Sequence, residues 1–399
     1  MNVKLNGRMQ LLILFILAAS LVTIAQAIIT TGVVYLMSDF SVSSTQAQWS
    51  YSVFLLVVGV MIPLSAYISR RFTARTIFFF SLVIFLIGSV ITLYCWRELF
   101  SFFTVATIIL LVLGIFFVRD STPTEDYPLD YLSVVLSIIG CSGVMLGFTN
   151  VADFGFTHYL VILPIIIGIM SLILFVKRQP KLDKPLINLN ILKNKYFLVG
   201  TIFICILFSC LNGCTALVPI FIQGVAYNSA IISASVTLPG GLLIIVFNII
   251  GPLLTNRIGI KKVLIMGCVV SIIGFATMMF YTQDSSFEFM AITQSIRYIG
   301  TGLALMPATT WTLTMVSDKV EDGTAVNNTL RQIFAAIGSS IVVVIVAVLA
   351  GGAIDHNAAS VVAFNQTSLI MLALHVVMLI LTIIYIDDKD KIEHKDAKV

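Results

Sequence analysis

Arg297 is the strongly basic residue that stands well inside a long apolar run, Phe289–Val316. A guanidinium at mid-bilayer costs on the order of 2.5–3.5 kcal/mol on insertion scales, so a favourable contact should offset it. That contact is a substrate, a proton-carrying partner or a gating bond. The alternative is a side chain that snorkels from the outer third of the helix to the headgroups. The depth of the residue favours a functional role.

A polar stripe occupies the inner end of another apolar run, Ala325–Gly351. Asn327, Asn328 and Arg331 lie on one face there, because residues three and four apart are neighbours on a helix. Such side chains bond across helices or line the cytoplasmic mouth of a passage, and capping of the membrane interface explains them equally well. The stripe is a second candidate for substrate binding or coupling.

Proton coupling needs a carboxylate whose pKa is raised toward neutrality by partial burial. None stands securely inside an apolar run, because the acidic candidates fall at the ends of runs: Asp39, Glu288, Glu321 and Asp322. Gln26 occupies the middle of the first run and cannot carry a proton. His375 titrates in the right range, although a lone histidine in such a run is more often a packed, hydrogen-bonded residue. Gln26 and His375 are coupling candidates by position.

Three large side chains could contact a substrate directly: Tyr298, Met306 and Trp311. Amphipathic, drug-like molecules bind mainly through apolar contacts with few polar anchors, and aromatic and methionine side chains supply such contacts. The same residues serve packing within a helical bundle. They are therefore candidates for a substrate surface, with packing left open.

The remaining chemistry-bearing residues predict neither a metal site nor a cofactor. The six cysteines show no Cys-x-x-Cys spacing, and the histidines do not cluster. Cys210 and Cys214 share a helix face, where small packing residues between helices are a commoner explanation than metal ligands. Gly-rich phosphate loops, nucleophile elbows and paired carboxylates are also missing from the loops, so the sequence does not indicate an enzyme.

Helices that cross a membrane must position these residues. Hydrophobic residues make up 59% of the 399 residues and charged residues only 11%, so lipid must be the solvent. Roughly 20 apolar residues span the hydrocarbon. Twelve runs are long enough: Leu11–Met37, Tyr51–Ser69, Ile77–Tyr94, Phe102–Val118, Leu132–Thr149, Tyr159–Val176, Phe197–Gln223, Ile231–Leu254, Val263–Tyr281, Phe289–Val316, Ala325–Gly351 and Ser368–Ile386.

Basic residues predict the orientation of these spans. If the chain starts inside, 21 of its 23 Lys and Arg residues fall in loops on the cytoplasmic side. Short cytoplasmic loops retain positive charge, so both termini are predicted cytoplasmic. The net charge of +4 needs no nucleic-acid partner, because anionic lipid accounts for the basic loops. The fold class predicted is an all-α polytopic membrane bundle of about twelve helices.

The chain divides into three predicted parts. Residues 1–118 form an amino-terminal helical half, residues 119–196 two linking spans and a basic central loop, and residues 197–399 a six-helix half with a cytoplasmic tail. A small residue is followed by two basic residues at the same spacing in two loops: Ser65, Arg71 and Arg75, and Gly251, Arg257 and Lys261. The predicted cytoplasmic gate residues are Arg70, Arg71, Arg75, Gly251, Asn256 and Arg257.

Three blocks of residues carry a resemblance to a known family. The first is Asp39-Phe40, Gln46-Ala47-Gln48-Trp49, Pro63 and Arg70-Arg71-Phe72-x-x-Arg75. The second is Leu238-Pro239-Gly240-Gly241, Gly251-Pro252 and Asn256-Arg257-Ile258-Gly259. The third is Arg297-Tyr298-Ile299-Gly300-Thr301-Gly302, Met306-Pro307-Ala308-Thr309-Thr310, Gly323-Thr324-Ala325, Asn327-Asn328-Thr329, Arg331-Gln332 and Gly338. Together they resemble the drug:proton antiporters of the major facilitator superfamily, in the fourteen-span EmrB/QacA and lincomycin-resistance group.

The resemblance implies a proton-coupled multidrug efflux transporter of a bacterial plasma membrane, which works by alternating access on small amphipathic or lipophilic compounds. One departure limits it. Trp96-Arg97-Glu98-Leu99-Phe100 resembles the entry to the group's sixth span, yet it follows directly on the third. The missing pair would carry the group's buried arginine and its glycine-rich antiport motif. The alternative prediction is therefore a non-transporting remnant that folds as a membrane bundle.

Overall fold

The structure is a computed structural model that describes residues 71–92, 97–118, 130–182, 185–226, 229–350 and 356–387, with isolated positions between residues 14 and 68. In these residues it contains helices and no strand. Two predicted site residues, Gln26 and Arg70, lie outside the described residues, as do most of the first two predicted spans. The predicted all-α fold is confirmed in the part of the chain that can be described.

The described residues contain ten long helices, with these bounds: α1 Ala74–Thr92, α2 Arg97–Phe117, α3 Tyr131–Phe154, α4 Tyr159–Arg178, α5 Lys195–Gly224, α6 Ala230–Ile258, α7 Ile260–Met278, α8 Phe287–Thr314, α9 Val320–Ala350 and α10 His356–Tyr385. Short 3-10 turns cover Gln179–Lys181, Leu189–Lys193 and Ser317–Lys319. Each long helix overlaps one of the predicted spans, with ends that differ by a few residues or more.

Eight of these helices are long and apolar enough to cross a membrane, and α2 contributes the shorter apolar stretch Ser101–Phe116. Helix α8 is long enough but less apolar than the others. Its polar side chains are turned inward, with Gln294, Arg297 and Thr301 each no more than 2% exposed. This polar face is enclosed by the neighbouring helices, which is why α8 can be less apolar than the other spans.

The last helix begins well before its predicted start at Ser368. Helix α10 starts at His356. The prediction placed the start too late because Asn365, Gln366 and Thr367 lower the apolar signal of the sequence, although they do not interrupt the helix. Thr367 is fully buried, and its hydroxyl donates to the carbonyl of Ala363 at 2.7 Å. A hydroxyl that bonds within its own helix can be buried at little cost, which is why the polar stretch remains helical.

The chain forms two compact units. One contains α1 and α2, and the other contains α3 to α10. In the first unit, Phe85 and Phe103 stack edge-on at 6.3 Å, and Thr104 donates to the hydroxyl of Ser89 at 3.3 Å. In the second unit, α8 packs between α6 and α7, α5 packs on α9, and α7 on α10. The two linking spans α3 and α4 also belong to this unit, where α3 packs on α9.

Polar residues define the helix ends at the predicted cytoplasmic side. The side chain of Asn194 accepts from the backbone N–H groups of Tyr196 and Phe197 at 3.0 and 3.2 Å, which begins α5. Helices α6 and α7 are separated by Gly259 alone, whose φ of 87° lies in the left-handed region that favours glycine. The predicted loop at Asn256–Gly259 is therefore mostly helix, with a sharp turn at its last residue.

Several hydrogen bonds tie the central loop to the second unit. Gln179 donates to the hydroxyl of Ser133 at 2.8 Å, and the backbone N–H of Asn188 donates to Asp322 at 3.0 Å. The side-chain amide of Asn194 donates to the carbonyl of Met315 at 3.0 Å. These bonds link segments far apart in sequence, so the central loop is part of the packed structure.

Candidate functional site

Arg297 lies in the interior of the second unit, with 1% of its side chain exposed. Its Nε donates to Gln294 Oε1 at 3.0 Å. The guanidinium carbon lies 4.1 Å from the ring centroid of Tyr298 and 6.0 Å from that of Phe275. Aromatic faces attract a desolvated cation, so these contacts offset part of its burial. The side chain is enclosed and does not snorkel.

The position of Arg297 depends on glycines in both neighbouring helices. Gly274 of α7 faces the Arg297 backbone, and a Cβ at Gly274 would lie 2.7 Å from the Arg297 Cα. Gly240 of α6 faces the Tyr298 ring, which a Cβ there would overlap. Two of the sequence blocks that carry the family resemblance thus meet here, because Gly240 makes room for the ring that covers the guanidinium.

A chain of hydrogen bonds runs from Arg297 to the turn between α7 and α8. Gln294 Nε2 donates to Tyr281 Oη at 3.4 Å. The Tyr281 hydroxyl also bonds the hydroxyl of Thr293 and donates to the carbonyl of Met290 at 3.1 Å. The described residues place no carboxylate beside Arg297. The cation is thus held by an amide, two rings and this polar chain.

Asn327 and Arg331 form a second polar cluster, against Phe208 of α5. Asn327 is 2% exposed, and neither atom of its side-chain amide has a hydrogen-bond partner. The Arg331 guanidinium lies 4.8 Å from the Phe208 ring centroid, and its Nε also lacks a partner. Asn328 is half-buried beside them. A buried polar group without a partner costs about 1–3 kcal/mol, so this cluster can gain from a polar ligand.

The other substrate and coupling candidates are placed differently. Met306 is 46% exposed on α8. Trp311 is buried, and its Nε1 donates to the carbonyl of Asp387 at 2.9 Å, which joins α8 to the segment after α10. His375 is 1% exposed, with Nδ1 2.9 Å from the Met371 carbonyl, Nε2 without a partner, and its ring 4.7 Å from Phe275. His375 therefore lies nearer to the surroundings of Arg297 than to an open surface.

The predicted gate residues lie at helix ends and are mostly exposed. Arg71 and Arg75 are exposed, and the Arg75 guanidinium lies 5.9 Å from the Phe79 ring centroid. Asn256 and Arg257 are exposed in the last turn of α6. Gly251 is buried against Pro307, where an added Cβ would lie 3.0 Å from Cγ. The structure gives Gly251 a packing contact and leaves the arginines at the surface.

Three residues of these clusters were not singled out from the sequence: Gln294, Tyr281 and Phe208. Gln294 could have been found from the sequence, because it precedes Arg297 by three residues. Side chains at that spacing are neighbours on a helix. Tyr281 lies in the turn after α7 and Phe208 on α5, and only the packing of the chain brings them to these clusters. Among the described residues, no group of three or more His, Cys, Asp or Glu side chains is placed to hold a metal ion.

Comparisons with known proteins agree with this architecture. The sequence model of one protein family, the Major Facilitator Superfamily, matches residues 15–339. The chain is 24% identical to the uncharacterized MFS-type transporter YcnB of Bacillus subtilis over 397 residues, which cover 82% of this chain and 84% of YcnB. It is 30% identical to the lincomycin resistance protein LmrB of Listeria monocytogenes over 251 residues, covering 63% of this chain and 53% of LmrB.

A solved structure of a bacterial homologue of the iron transporter ferroportin is similar in fold. It superposes with a TM-score of 0.50 and 12% sequence identity, covering 94% of this chain and 98% of that one. At this identity the likeness concerns the fold alone. It agrees with the helical bundle that the sequence predicts.

Proposed function

The chain belongs to the Major Facilitator Superfamily, and we propose that it exports small amphipathic or lipophilic drug-like compounds across a bacterial plasma membrane in exchange for protons. It is a multi-pass membrane transporter by family and by its apolar helices. To this family membership the proposal adds the direction of transport, the class of substrate and the coupling ion. Its support is the resemblance of three sequence blocks to drug exporters, the similarity to LmrB, and one cluster of side chains.

The observation that carries the proposal is the cluster of Asn327, Arg331 and Phe208. It offers an aromatic face, a cation and an amide whose donor and acceptor are both without partners. An amphipathic compound presents the matching groups, namely an apolar ring and a few polar atoms. Polar atoms that remain unpaired in the folded chain are suited to a ligand that binds and leaves, because binding relieves a cost and release restores it.

The position of the cluster suits a transporter that takes its substrate from the cytoplasm. Asn327 and Arg331 lie in the second and third turns of α9, whose first turn is predicted to face the cytoplasm. Phe208 lies on α5, which packs on α9.

Proton coupling follows from the group that the chain resembles, and we assign no carboxylate to it. Asp322 is the acidic side chain that lies buried at 3% exposed, and it accepts from the backbone of Asn188 at the start of α9. His375 is the titratable residue in a span that remains a coupling candidate, together with the cation at Arg297. The coupling residue has to be found by mutation.

The test is dye efflux from cells that express the full chain, first energised and then treated with a protonophore. We expect efflux to stop with the protonophore and to fall at least ~10-fold in Arg331→Gln, the loss expected for a charged contact worth about 1.5–3 kcal/mol. Lys319→Gln removes an exposed cation from the turn before α9 and serves as the matched control. It should leave efflux unchanged.

Two results would contradict the proposal. A wild-type protein that is fully inserted in the membrane but moves no dye would favour a non-transporting remnant. Efflux that persists after protonophore treatment would show that export is not driven by the proton gradient. Arg297→Ala is measured in parallel. Because Arg297 is buried, the amount of this variant in the membrane must be matched to that of the wild type before the rates are compared.

A further inference from the structure

Three sulfur-bearing side chains are buried in one apolar cluster in the interior of the second unit. Cys210 and Cys214 lie one turn apart on α5, 2% and 1% exposed, and both are free thiols. Met371 of α10 is 3% exposed, and the Cys214 sulfur lies 3.3 Å from the Met371 sulfur. All three side chains belong to one apolar cluster. The sequence alone shows only the cysteine pair, because Met371 comes from the last helix.

The chemistry of these donors selects a particular class of metal ion. Thiolate and thioether sulfurs are soft ligands that favour Cu(I), whereas carboxylate and carbonyl oxygens favour harder ions. The described residues offer no third His, Cys, Asp or Glu to the cysteine pair, so a zinc site with four such ligands does not fit. The thioether of Met371 is the third candidate ligand, and a thioether binds soft metal ions.

The contact between Cys214 and Met371 is already close to the spacing that a shared ion needs. With metal–sulfur distances of about 2.3 Å, three sulfurs around one ion lie roughly 4 Å apart. Cys214 and Met371 would have to separate by less than 1 Å, which the flexible methionine side chain allows at low cost.

Arg297 supplies the charge balance that such a site needs. The guanidinium is near enough to interact electrostatically with both Cys210 and Cys214. Two thiolates and one monovalent ion carry a net charge of −1, which the guanidinium neutralises. On metal binding the two thiols release their protons to the solvent and become thiolates. These thiolates supply the negative charge beside Arg297, where the described residues place no carboxylate.

We propose that Cys210, Cys214 and Met371 form a binding site for one soft monovalent metal ion, Cu(I) or Ag(I), with Arg297 as the balancing charge. The inference does not depend on the proposed export of drugs, because its ligands Cys210, Cys214 and Met371 are not part of the cluster that carries that proposal. A bound ion would join α5 to α10 within the second unit. It would therefore raise the thermal stability of the protein.

The experiment uses the purified full chain in detergent, equilibrated with Ag(I), freed of unbound ion, and analysed for metal content. We expect about one ion per chain and a raised melting temperature, since binding to the folded state alone stabilises it. Cys210→Ala with Cys214→Ala should abolish binding. The matched control is Cys205→Ala with Cys268→Ala, which removes two other buried thiols and should leave one ion bound.

Two further variants keep the proposal falsifiable if the double alanine variant fails to fold. Met371→Leu preserves the side-chain volume and should weaken Ag(I) binding by ~10-fold or more, and Arg297→Gln by a similar factor, as expected for a neighbour that tunes a metal site. Equal binding by the wild type and by the variant without Cys210 and Cys214 would overturn the proposal. So would a wild-type metal content far below one ion per chain.

Discussion

The surroundings of Arg297 and of Arg331 show two ways in which one helical unit holds a buried cation. Arg297 is almost fully enclosed, bonded to Gln294 and covered by the ring of Tyr298. Arg331 is half-buried against Phe208, with Nε unpartnered and with the unpartnered amide of Asn327 one turn away. The first is built into the packing of three helices. The second contains polar groups without partners. Substitutions should therefore lower the melting temperature at the first site and raise it at the second.

The largest effect is expected where α7 meets α8. Gly274→Ala places a Cβ 2.7 Å from the Cα of Arg297, so the two helices must separate. Overpacking of this kind costs about 1–3 kcal/mol. The melting temperature of the purified protein should fall, and the yield of monodisperse protein with it.

The matched control is Gly241→Ala in α6, where an added Cβ meets nothing within 4 Å. It should hold or raise the melting temperature, because alanine favours a helix over glycine by roughly 0.5–1 kcal/mol. Equal effects of the two substitutions would show that α7 and α8 are not in the close contact described.

At the second cluster the sign of the stability change should reverse. Asn327→Leu removes a buried amide whose donor and acceptor are both unpartnered, a group that costs about 1–3 kcal/mol to bury. The melting temperature should rise while dye efflux is lost, since the substrate loses its polar anchor. A variant that is less stable than the wild type would show that the amide is bonded in the native protein.

A smaller effect is expected on the polar chain that leads from Arg297 to the outer turn. Tyr281→Phe removes a hydroxyl that bonds Gln294, Thr293 and the Met290 carbonyl, and should cost about 1 kcal/mol of stability. Because Tyr281 lies in the turn after α7 and is not part of the cluster of Asn327, Arg331 and Phe208, dye efflux at matched membrane content should stay near the wild-type rate. A large loss of efflux without a fall in melting temperature would place Tyr281 in the transport mechanism instead.

Much of the fold was predictable, because the membrane leaves a strong pattern in the sequence. Apolar runs such as Tyr159–Val176 coincide with helices such as α4. The pattern failed at the start of α10, where polar residues such as the buried Thr367 interrupt the apolar run but not the helix. Of the candidate site, Arg297, Asn327 and Arg331 were identified from charge and polarity in apolar runs. Phe208 and Tyr281 were not, because only the packing of other segments brings their rings to these residues.

The sequence by itself determined the solvent, the helical class and the family, since these depend on composition, run length and blocks of residues that lie close along the chain. Only the tertiary structure decided which polar groups are satisfied. Arg297 and Arg331 have the same chemistry and similar surroundings in the sequence, yet packing bonds one guanidinium to Gln294 and leaves the Nε of the other without a partner. That difference arises between helices, where the free energy of burying a polar group depends on what the neighbouring helix presents.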